Sequence, residues 1–394
     1  MEVQIYFTYL NNKLYFNVNC TKEFILMIIK NKLPYLLLLL IVFSACAQDK
    51  NPVNKGTSHE VIVSNLTNPW GFVFLPDQSM LITEKEGKII HYKDEIKTEI
   101  KGLPEIYVRG QGGLLDINIH PDYHNNGWVY FSYASPKGKE KGGNTAIMRA
   151  KIKNDSLVNK QLLYKAEPNT TRGQHFGSRL VFDTDGFLYF TIGERGQRDV
   201  NPQDITKDGG KVYRLNADGT IPKDNPFVSQ DNAKHAIWSY GHRNPQGMEL
   251  HPKTKDIWIH EHGPKGGDEI NIIKKGKNYG WPVITYGKNY SGTTITNETK
   301  REGMQQPLHY WDPSIAPSGM AFISSNKYGS WKGNVLVGSL KFNYVDRCVI
   351  KNNKVISEER LLDDIGRVRS IEQGPDGYIY IGVENLGIIK LLKK

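Results

Sequence analysis

Six copies of a strand–turn–strand unit constrain the fold of this chain more than any other feature of its sequence. The copies occupy residues 71–84, 116–133, 179–194, 247–263, 319–340 and 370–384. Each joins two runs rich in β-branched and aromatic residues through a turn, the pattern of a β-hairpin. Successive copies lie roughly sixty residues apart, which is enough for a four-stranded blade with long loops. Helical periodicity between the copies is missing, and this argues against a parallel α/β sheet.

We therefore predict an all-β fold, a six-bladed β-propeller. Closing six blades into a ring removes free sheet edges and leaves a central channel whose mouth is lined by loops between blades. The spacing leaves two alternatives open, a seven-bladed ring and a pair of β-sandwiches.

The first 46 residues differ in composition from the rest of the chain and are typical of a secretory leader. Residues 27–46 contain two lysines, an apolar run at 36–43 and two small residues before Cys46, an ending that resembles a lipoprotein cleavage site. Cys46 would become the lipidated first residue, and Met27 would be the true start. A membrane-spanning anchor is the alternative, although the apolar run is short for a span of about twenty residues.

The chain is accordingly divided into a leader at 1–46, a linker at 47–57 and a propeller domain at 58–394. The domain would be exported, either to the periplasm or as a lipoprotein anchored at the outer membrane. After processing, Cys348 would be the remaining thiol, so the domain must rely on its core, on sheet closure or on bound metal instead of disulfides. The formal charge of +10 is dispersed along the chain, which favours solvated surface over nucleic-acid binding.

The segment 241–282 concentrates residues that carry chemistry. It contains an Arg–Asn pair beginning at Arg243, a Gly–Pro turn at Gly263, and adjacent carboxylates at Asp268 and Glu269. Oxygen ligands held by glycine-rich turns suit a hard cation such as calcium. A nearby guanidinium suits a polycarboxylate ligand, because its planar fork can bind two oxygens. The combination predicts a cofactor site with a metal, and not only a structural ion.

A histidine and a glutamate flank the third hairpin unit. His175 lies just before the unit in a glycine-flanked segment, and Glu194 closes it. Their side chains would emerge at the same end of one blade, where a carboxylate can orient a neutral imidazole as a proton acceptor. A turn-capping role for His175 fits the spacing equally well.

Positive charges occur in glycine-punctuated loops at Arg243, Lys341, Arg367 and Arg369. Arg367 and Arg369 alternate along a predicted strand, so they should face the same side. Cations that converge on a channel mouth repel one another unless a multiply charged anion lies among them. For any one of these residues alone, scattered surface charge is the alternative.

Seven motifs, in order along residues 68–394, resemble the soluble quinoprotein sugar dehydrogenases. They are GQGGLLDINIHPDY, QHFGSRLVFDTDGFLYFTIGE, GHRNPQGMELHP, HEHGPKGGDEIN, GKNYGWP, GSLKFNY and GRVRS. Members of this family are six-bladed propellers that depend on pyrroloquinoline quinone (PQQ). The resemblance implies an enzyme that oxidises aldose sugars with PQQ and calcium and passes electrons to an unidentified acceptor.

The resemblance also implies site residues. His175 matches the general base of the family, and Glu194 matches its acidic partner. Residues that match groups holding PQQ or walling its pocket are Gln111, Arg243, Asn244, Tyr290, Ala316, Pro317, Ser318, Lys341, Phe342, Asn343, Arg367 and Arg369. The main-chain oxygens of Gly263 and Pro264 match ligands of an active-site calcium. Glu269 and Tyr279 match ligands of a second, structural calcium.

Two departures favour the aldose sugar dehydrogenase branch of this family. Glu194 stands where the soluble glucose enzyme has an aspartate, and the loops over the channel are shorter. In the implied reaction, His175 takes the proton of the anomeric hydroxyl and a hydride leaves to calcium-polarised PQQ, giving a lactone. Two other classes remain open: a calcium-dependent lactonase, which needs several carboxylates around one metal, and a non-catalytic binding propeller.

Overall fold

The computed structural model describes residues 2–10, 13–21 and 52–394. Met1–Lys50 and Asn51–Lys394 are two separate compact units. In the first unit, β1 (Glu2–Leu10) and β2 (Lys13–Thr21) pair as an antiparallel hairpin. The predicted leader segment 27–46, with its start at Met27 and its cleavage at Cys46, lies outside the described residues.

The second unit consists of six four-stranded antiparallel sheets, numbered here as blades 1 to 6. Blade 1 contains β4 (Pro69–Phe74), β5 (Met80–Glu84), β6 (Lys88–Lys93) and β7 (Ile96–Ile100). Blade 2 contains β8 (Leu114–Ile119), β9 (Val129–Ser135), β10 (Asn144–Lys153) and β11 (Ser156–Lys165). Blade 3 contains β12 (Leu180–Phe182), β13 (Leu188–Ile192), β14 (Lys211–Leu215) and β15 (Ile237–Tyr240).

The remaining three blades repeat this order. Blade 4 contains β16 (Pro245–Leu250), β17 (Ile257–Glu261), β18 (Asp268–Ile272) and β19 (His309–Trp311). Blade 5 contains β20 (Pro317–Phe322), β21 (Val335–Ser339), β22 (Val345–Lys351) and β23 (Lys354–Leu361). Blade 6 contains β24 (Val368–Gln373), β25 (Ile379–Val383), β26 (Gly387–Lys393) and β3 (Thr57–Ser64). The predicted six-bladed propeller is confirmed.

Blade 6 closes the ring with strands from both ends of the propeller. Strand β26 pairs antiparallel with β3, and Leu391 lies opposite His59. Just before β3, Pro52 and Asn54 exchange backbone hydrogen bonds of 2.9 and 2.8 Å with Arg360 at the end of blade 5. The first strands pack successively around the channel, including β24 against β4. Closure leaves no open edge between the first and last blades.

The second strand of a blade is buried most completely, because neighbouring blades cover both of its faces. All five residues of β13, β17, β21 and β25 are buried. Such strands are short, nearly continuous apolar runs. The outer strands β7 and β23 instead have a single buried residue each. The core therefore lies in layers between blades.

Among the described residues, helix is limited to α1 (Tyr123–Asn126) and a 3-10 turn at Gly329–Trp331. Both lie in loops that join the first and second strands of a blade. No helix in the described part of the chain has the length and apolar character needed to cross a membrane. Cys348 is buried as a free thiol in β22 of blade 5.

Arg179 bridges the central channel. Its guanidinium donates to Asp116 Oδ1 at 3.0 Å and to the carbonyl oxygens of Gln246 and Arg369 at 2.7 Å each. It also stacks 4.2 Å from the centre of the Trp70 ring. Burial raises the pKa of Asp116, and the charge of Arg179 opposes this rise. One buried cation thus ties the first strands of blades 1, 2, 4 and 6 to blade 3.

Candidate active site

One end of the channel collects the loops that carry the candidate residues. Within a blade, the first two strands are antiparallel, so the segment before the first strand and the segment after the second strand lie at the same end. His175 precedes β12 and Glu194 follows β13. Arg367 precedes β24, and Arg243 precedes β16. The propeller therefore brings together residues that are far apart in the chain.

His175 and Glu194 form the hydrogen-bonded pair that the sequence predicted. Nδ1 of His175 is hydrogen-bonded to Oε1 of Glu194, and the side chains are 14% and 2% exposed. The backbone N–H of His175 donates to Oε1 of Gln111 at 2.7 Å. Burial, followed by the charge of Arg243, lowers the pKa of His175, while Glu194 opposes the shift. The imidazole is therefore neutral near pH 7, with Nε2 as the nitrogen able to accept a proton.

The loop that carries His175 has a demanding backbone geometry. His175 has φ of 56°, a left-handed conformation that is uncommon outside glycine and is often found at functional sites. A Cβ at Gly193 would lie 2.4 Å from the His175 carbonyl oxygen, so the loop can pack there only against glycine. Arg195 fixes the same loop: it donates to the Arg172 carbonyl at 2.9 Å and stacks 3.4 Å from the centre of the Phe176 ring.

A cavity of about 970 Å³ brings together most of the predicted cations. Six predicted cofactor residues line it: Gln111, Tyr290, Ala316, Lys341, Arg367 and Arg369. The predicted metal ligand Pro264 also lines it. This first cavity therefore combines a concentration of positive charge with a size typical of small-molecule sites, which are roughly 300–1,000 Å³.

A second cavity of about 620 Å³ contains the base. His175, Glu194 and Arg243 line it, and it shares Gln111 and two further residues, Pro264 and Tyr290, with the first cavity. Because the two cavities share these wall residues, they lie side by side. His175 thus lies beside the cation-lined cavity.

Five predicted cofactor residues do not line either cavity: Asn244, Pro317, Ser318, Phe342 and Asn343. Several support the walls from behind. Asn244 Oδ1 accepts the Gly177 N–H at 3.1 Å, and Ser318 Oγ donates to the Arg369 carbonyl at 2.9 Å. The Phe342 ring lies 4.5 Å below Lys341 Nζ. These residues position the wall and do not form its surface.

Glu384, which sequence reasoning did not select, joins two of the cations. Its Oε2 accepts Arg367 Nε at 2.8 Å, and its Oε1 accepts Arg369 Nη2 at 2.6 Å. Burial alone would raise the pKa of Glu384, but the two arginines hold it below its ordinary value. The shared carboxylate reduces the expected repulsion. A signal was present, because Glu384 ends the sixth hairpin unit just as Glu194 ends the third.

Arg243 is locked onto the predicted Gly–Pro turn. Its Nη1 donates to the carbonyl oxygens of His262 and Gly263 at 3.0 and 2.8 Å, and its backbone N–H donates to Glu261 Oε2 at 2.6 Å. Asp268 holds the other side of the turn, because its Oδ1 accepts the Gly263 N–H at 2.7 Å. Burial raises the pKa of Asp268 to about 6. The Asp268 carboxylate therefore holds the Gly–Pro turn in position.

Comparison with known proteins identifies the family. The chain matches the family model described as Glucose / Sorbosone dehydrogenase over residues 66–391. The chain belongs to this family. It is 42% identical over 331 residues to the aldose sugar dehydrogenase YliI of Escherichia coli (strain K12), an alignment that covers 82% of this chain and 88% of that protein.

The names of two further similar proteins refer to the quinone cofactor. Quinoprotein glucose dehydrogenase B of Acinetobacter calcoaceticus is 34% identical over 318 residues, covering 72% of this chain and 64% of that protein. The PQQ-bound aldose sugar dehydrogenase of Streptomyces coelicolor superposes with a TM-score of 0.71 at 26% identity, covering 87% of this chain and 100% of that one. The resemblance and the enzyme class predicted from the seven motifs are confirmed.

The residues of this family member fit PQQ. Lys341, Arg367 and Arg369 supply three cations for a triply acidic ligand in one cavity. Gln111 and Tyr290 connect that cavity to the base. Lys341 and the two arginines that Glu384 holds in place would bind the acidic groups of the cofactor.

A second calcium site also fits, between β17 and β18. Glu261 and Glu269 are direct partners across these strands. Burial and the charge of Glu261 raise the pKa of Glu269 to about 8, and the buried Asn271 Oδ1 makes no hydrogen bond within the described residues. The Tyr279 hydroxyl donates to the Ile272 carbonyl at 2.7 Å and accepts the Lys274 N–H at 2.9 Å, so this hydroxyl is already engaged.

The predicted active-site calcium depends on main-chain oxygens. Among the residues that the structure describes, no cluster of three or more His, Cys, Asp or Glu side chains could hold a metal. The Gly263 oxygen already accepts Arg243 Nη1 at 2.8 Å, while Pro264 lines both cavities. A cation at this turn would therefore share the Gly263 oxygen with the guanidinium.

Proposed function

We propose that this glucose/sorbosone dehydrogenase family member oxidises the anomeric carbon of aldose sugars to lactones with PQQ as its cofactor. One observation carries the proposal: the buried His175–Glu194 pair opens into a cavity that shares walls with a cavity lined by Lys341, Arg367 and Arg369. This reaction requires a proton acceptor beside an anion-binding cavity.

The sugar would occupy the second cavity. Amide side chains of Gln174, Gln197 and Asn289 line it, and such groups can donate to and accept from sugar hydroxyls. With the anomeric hydroxyl at His175 Nε2, the base would take its proton while Glu194 stabilises the resulting imidazolium. A positioned base typically contributes about 10²- to 10⁴-fold to the rate.

The cofactor and metal would supply the redox chemistry. PQQ held by Lys341, Arg367 and Arg369 would supply a hydride acceptor, and a calcium ion held by Gly263 and Pro264 would supply a Lewis acid. The chain's own part would be to orient the ligands and to neutralise charge: Lys341 and Arg367 would bind carboxylates of the cofactor, and Glu384 holds the arginine pair in place. We propose that Glu269 and Tyr279 hold a second calcium that stabilises blade 4.

A dye-linked oxidation assay tests the proposal. Dye reduction should require an aldose, PQQ and calcium together, and profiling several sugars would identify the preferred one. His175→Ala should retain PQQ binding while losing about 10²-fold or more in turnover. Unchanged activity of this variant would refute the role of the base. A lactonase would instead release acid from a lactone without any dye, and among the described residues no group of three or more His, Cys, Asp or Glu side chains could hold its metal.

We also propose that the protein is exported and lipid-anchored. The leader at 1–46 would start at Met27 and be cleaved before Cys46, which would carry the lipid. The intact mass of the unprocessed precursor tests the start, and Cys46→Ser should release the protein from the membrane fraction. Retention of that variant in the membrane would argue against the lipid anchor.

A further inference from the structure

Two lysines that the cofactor assignment does not use stand side by side at the first cavity. Lys265 and Lys288 exchange backbone hydrogen bonds of 3.1 and 3.3 Å and form an isolated antiparallel β-bridge. Their side chains therefore start from neighbouring backbone positions. Both are exposed and both line the cavity. Neither forms an ion pair within the part of the chain that the structure describes.

The first cavity would keep positive charge after a triply acidic cofactor and one calcium ion have bound. Five cations line it: Lys265, Lys288, Lys341, Arg367 and Arg369. Asp312 is the carboxylate among the described lining residues, and Glu384 stands behind the arginines. If PQQ and one calcium ion bind as proposed, they remove only one further positive charge. The rim at Lys265 and Lys288 therefore stays positive in the loaded enzyme.

Exposed aromatic rings accompany this charge. Tyr290 stands in the turn that follows Lys288, is 73% exposed and lines both cavities. Tyr286 lines the first cavity and stacks on Tyr310, with ring centres 3.9 Å apart and planes 9° from parallel. Tyr310 itself is 44% exposed. Tyrosines are enriched at protein interfaces, and a charged rim steers an oppositely charged partner.

The proposed reaction requires such a partner. Each aldose oxidised to a lactone releases two electrons and two protons, so a one-electron acceptor must be reduced twice before the next turnover. We propose that Lys265, Lys288, Tyr290 and the Tyr286–Tyr310 stack form the docking surface for a redox protein with an acidic face. This inference rests on the proposed function. Redox encounters use small interfaces, so a few charges can dominate recognition.

The test compares two charge-removing double variants. Lys265→Gln/Lys288→Gln removes the rim, and Lys351→Gln/Lys354→Gln is the matched control. The control lysines are exposed, face each other across β22 and β23, and line neither cavity. Acceptors are an acidic bacterial cytochrome c, a basic mitochondrial cytochrome c, anionic ferricyanide and cationic phenazine methosulfate. PQQ affinity is measured separately by titration of intrinsic fluorescence.

The rim variant should lose roughly five- to tenfold in kcat/KM for the acidic cytochrome, and the salt dependence of that rate should weaken. The rates of the rim variant with the basic cytochrome and with the cationic dye should be unchanged or higher. The control variant should behave as wild type. The Kd of PQQ should change less than twofold in the rim variant. An equal loss of PQQ affinity would assign the lysines to the cofactor and overturn the proposal. A loss confined to ferricyanide would overturn docking of a protein.

Direct binding separates this proposal from the proposed function. Titration calorimetry of the acidic cytochrome against the chain at low and high salt does not require turnover. Salt-sensitive binding that the rim variant loses, in a chain that oxidises no sugar, would retain the docking surface and refute the sugar reaction. Equal binding by wild type and rim variant would refute the docking surface alone.

Discussion

Replacing Glu194 with glutamine separates the electrostatic role of this residue from its shape. Glutamine keeps the size of the side chain and can still accept a hydrogen bond from His175 Nδ1, but it carries no charge. The Glu194 side chain is 2% exposed and its Oε2 has no hydrogen-bond partner within the described residues. The substitution therefore mainly removes one buried negative charge beside the imidazole.

The size and the sign of the effect follow from this contact. A hydrogen bond to a charged group contributes about 1.5–3 kcal/mol, which corresponds to about 10- to 150-fold in kcat/KM if it is lost in the transition state. Burial and Arg243 lower the pKa of His175, whereas Glu194 opposes them. Without Glu194 the pKa should fall further. Because the base acts when neutral, the acid limb of kcat/KM should move to lower pH while the plateau drops.

The assay is a pH profile of dye-linked aldose oxidation by the PQQ-loaded wild type and Glu194→Gln. Glu358→Gln is the matched control, since Glu358 forms a histidine–glutamate pair with His309 at 3.0 Å and lines neither cavity. PQQ affinity should be the same in all three proteins. An acid limb that moves upward, or a plateau within threefold of wild type, would refute the assigned role of Glu194.

Three further changes probe the cofactor, the channel and the metal. Lys341→Gln should weaken PQQ binding about tenfold in a fluorescence titration, because it removes the charged partner that this exposed side chain would offer to a carboxylate; wild-type affinity would exclude Lys341 from the site. Arg179→Met leaves Asp116 buried without its cation and should lower the free energy of unfolding by about 3–5 kcal/mol in urea titrations; a loss below 1 kcal/mol would contradict the bridging role. Calcium at a hundredfold excess over its Kd should stabilise the wild type by about 2.7 kcal/mol, and Glu269→Gln should abolish most of that shift in thermal unfolding; an unchanged shift would place the ion elsewhere.

The inner half of each blade could be predicted from the sequence, and the outer half could not. The first two strands of a blade are covered by neighbouring blades, so they are apolar runs around a turn, as in β4 and β5. Outer strands such as β11 expose much of their length and lack such a pattern. The pairing of β3 with β26 depends on closure of the ring, which no local pattern specifies.

The sequence predicted which loops form the site, but not which of their side chains line the cavities. The pairing of first and second strands shifts register near the channel mouth in five blades, including Pro245/Gly247 in blade 4 and Val368/Ser370 in blade 6. A bulge places one extra residue and re-aims its side chain. Gln246 and Arg369 lie within these shifts and line the first cavity. A single sequence does not reveal a bulge, so it could not separate Arg369 from its neighbour Ser318, which supports the wall.

One recurring glutamate explains how a repeated scaffold gives a site that is not repeated. In four blades a glutamate ends or follows the second strand: Glu84, Glu194, Glu261 and Glu384. Each accepts hydrogen bonds from the segment that leads into the same blade. Glu84 binds the backbone N–H groups of Thr67 and Asn68, and Glu194 binds the ring of His175. Glu261 binds the ring of His242 and the backbone N–H of Arg243, and Glu384 binds the side chains of Arg367 and Arg369.

The propeller thus fixes the position of the carboxylate, and the residue that faces the carboxylate decides what role the glutamate has. Opposite a backbone it only closes a turn, as Glu84 does in blade 1. Opposite His175, which lines a cavity, it orients a base, whereas opposite the buried His242 in blade 4 it holds a residue that lines neither cavity. Opposite two guanidiniums it assembles an anion-binding wall. Since the same geometry also occurs in blade 1 without a catalytic partner, a glutamate at this position is not evidence of catalysis by itself. Catalysis is indicated by His175 together with the cavity that it lines.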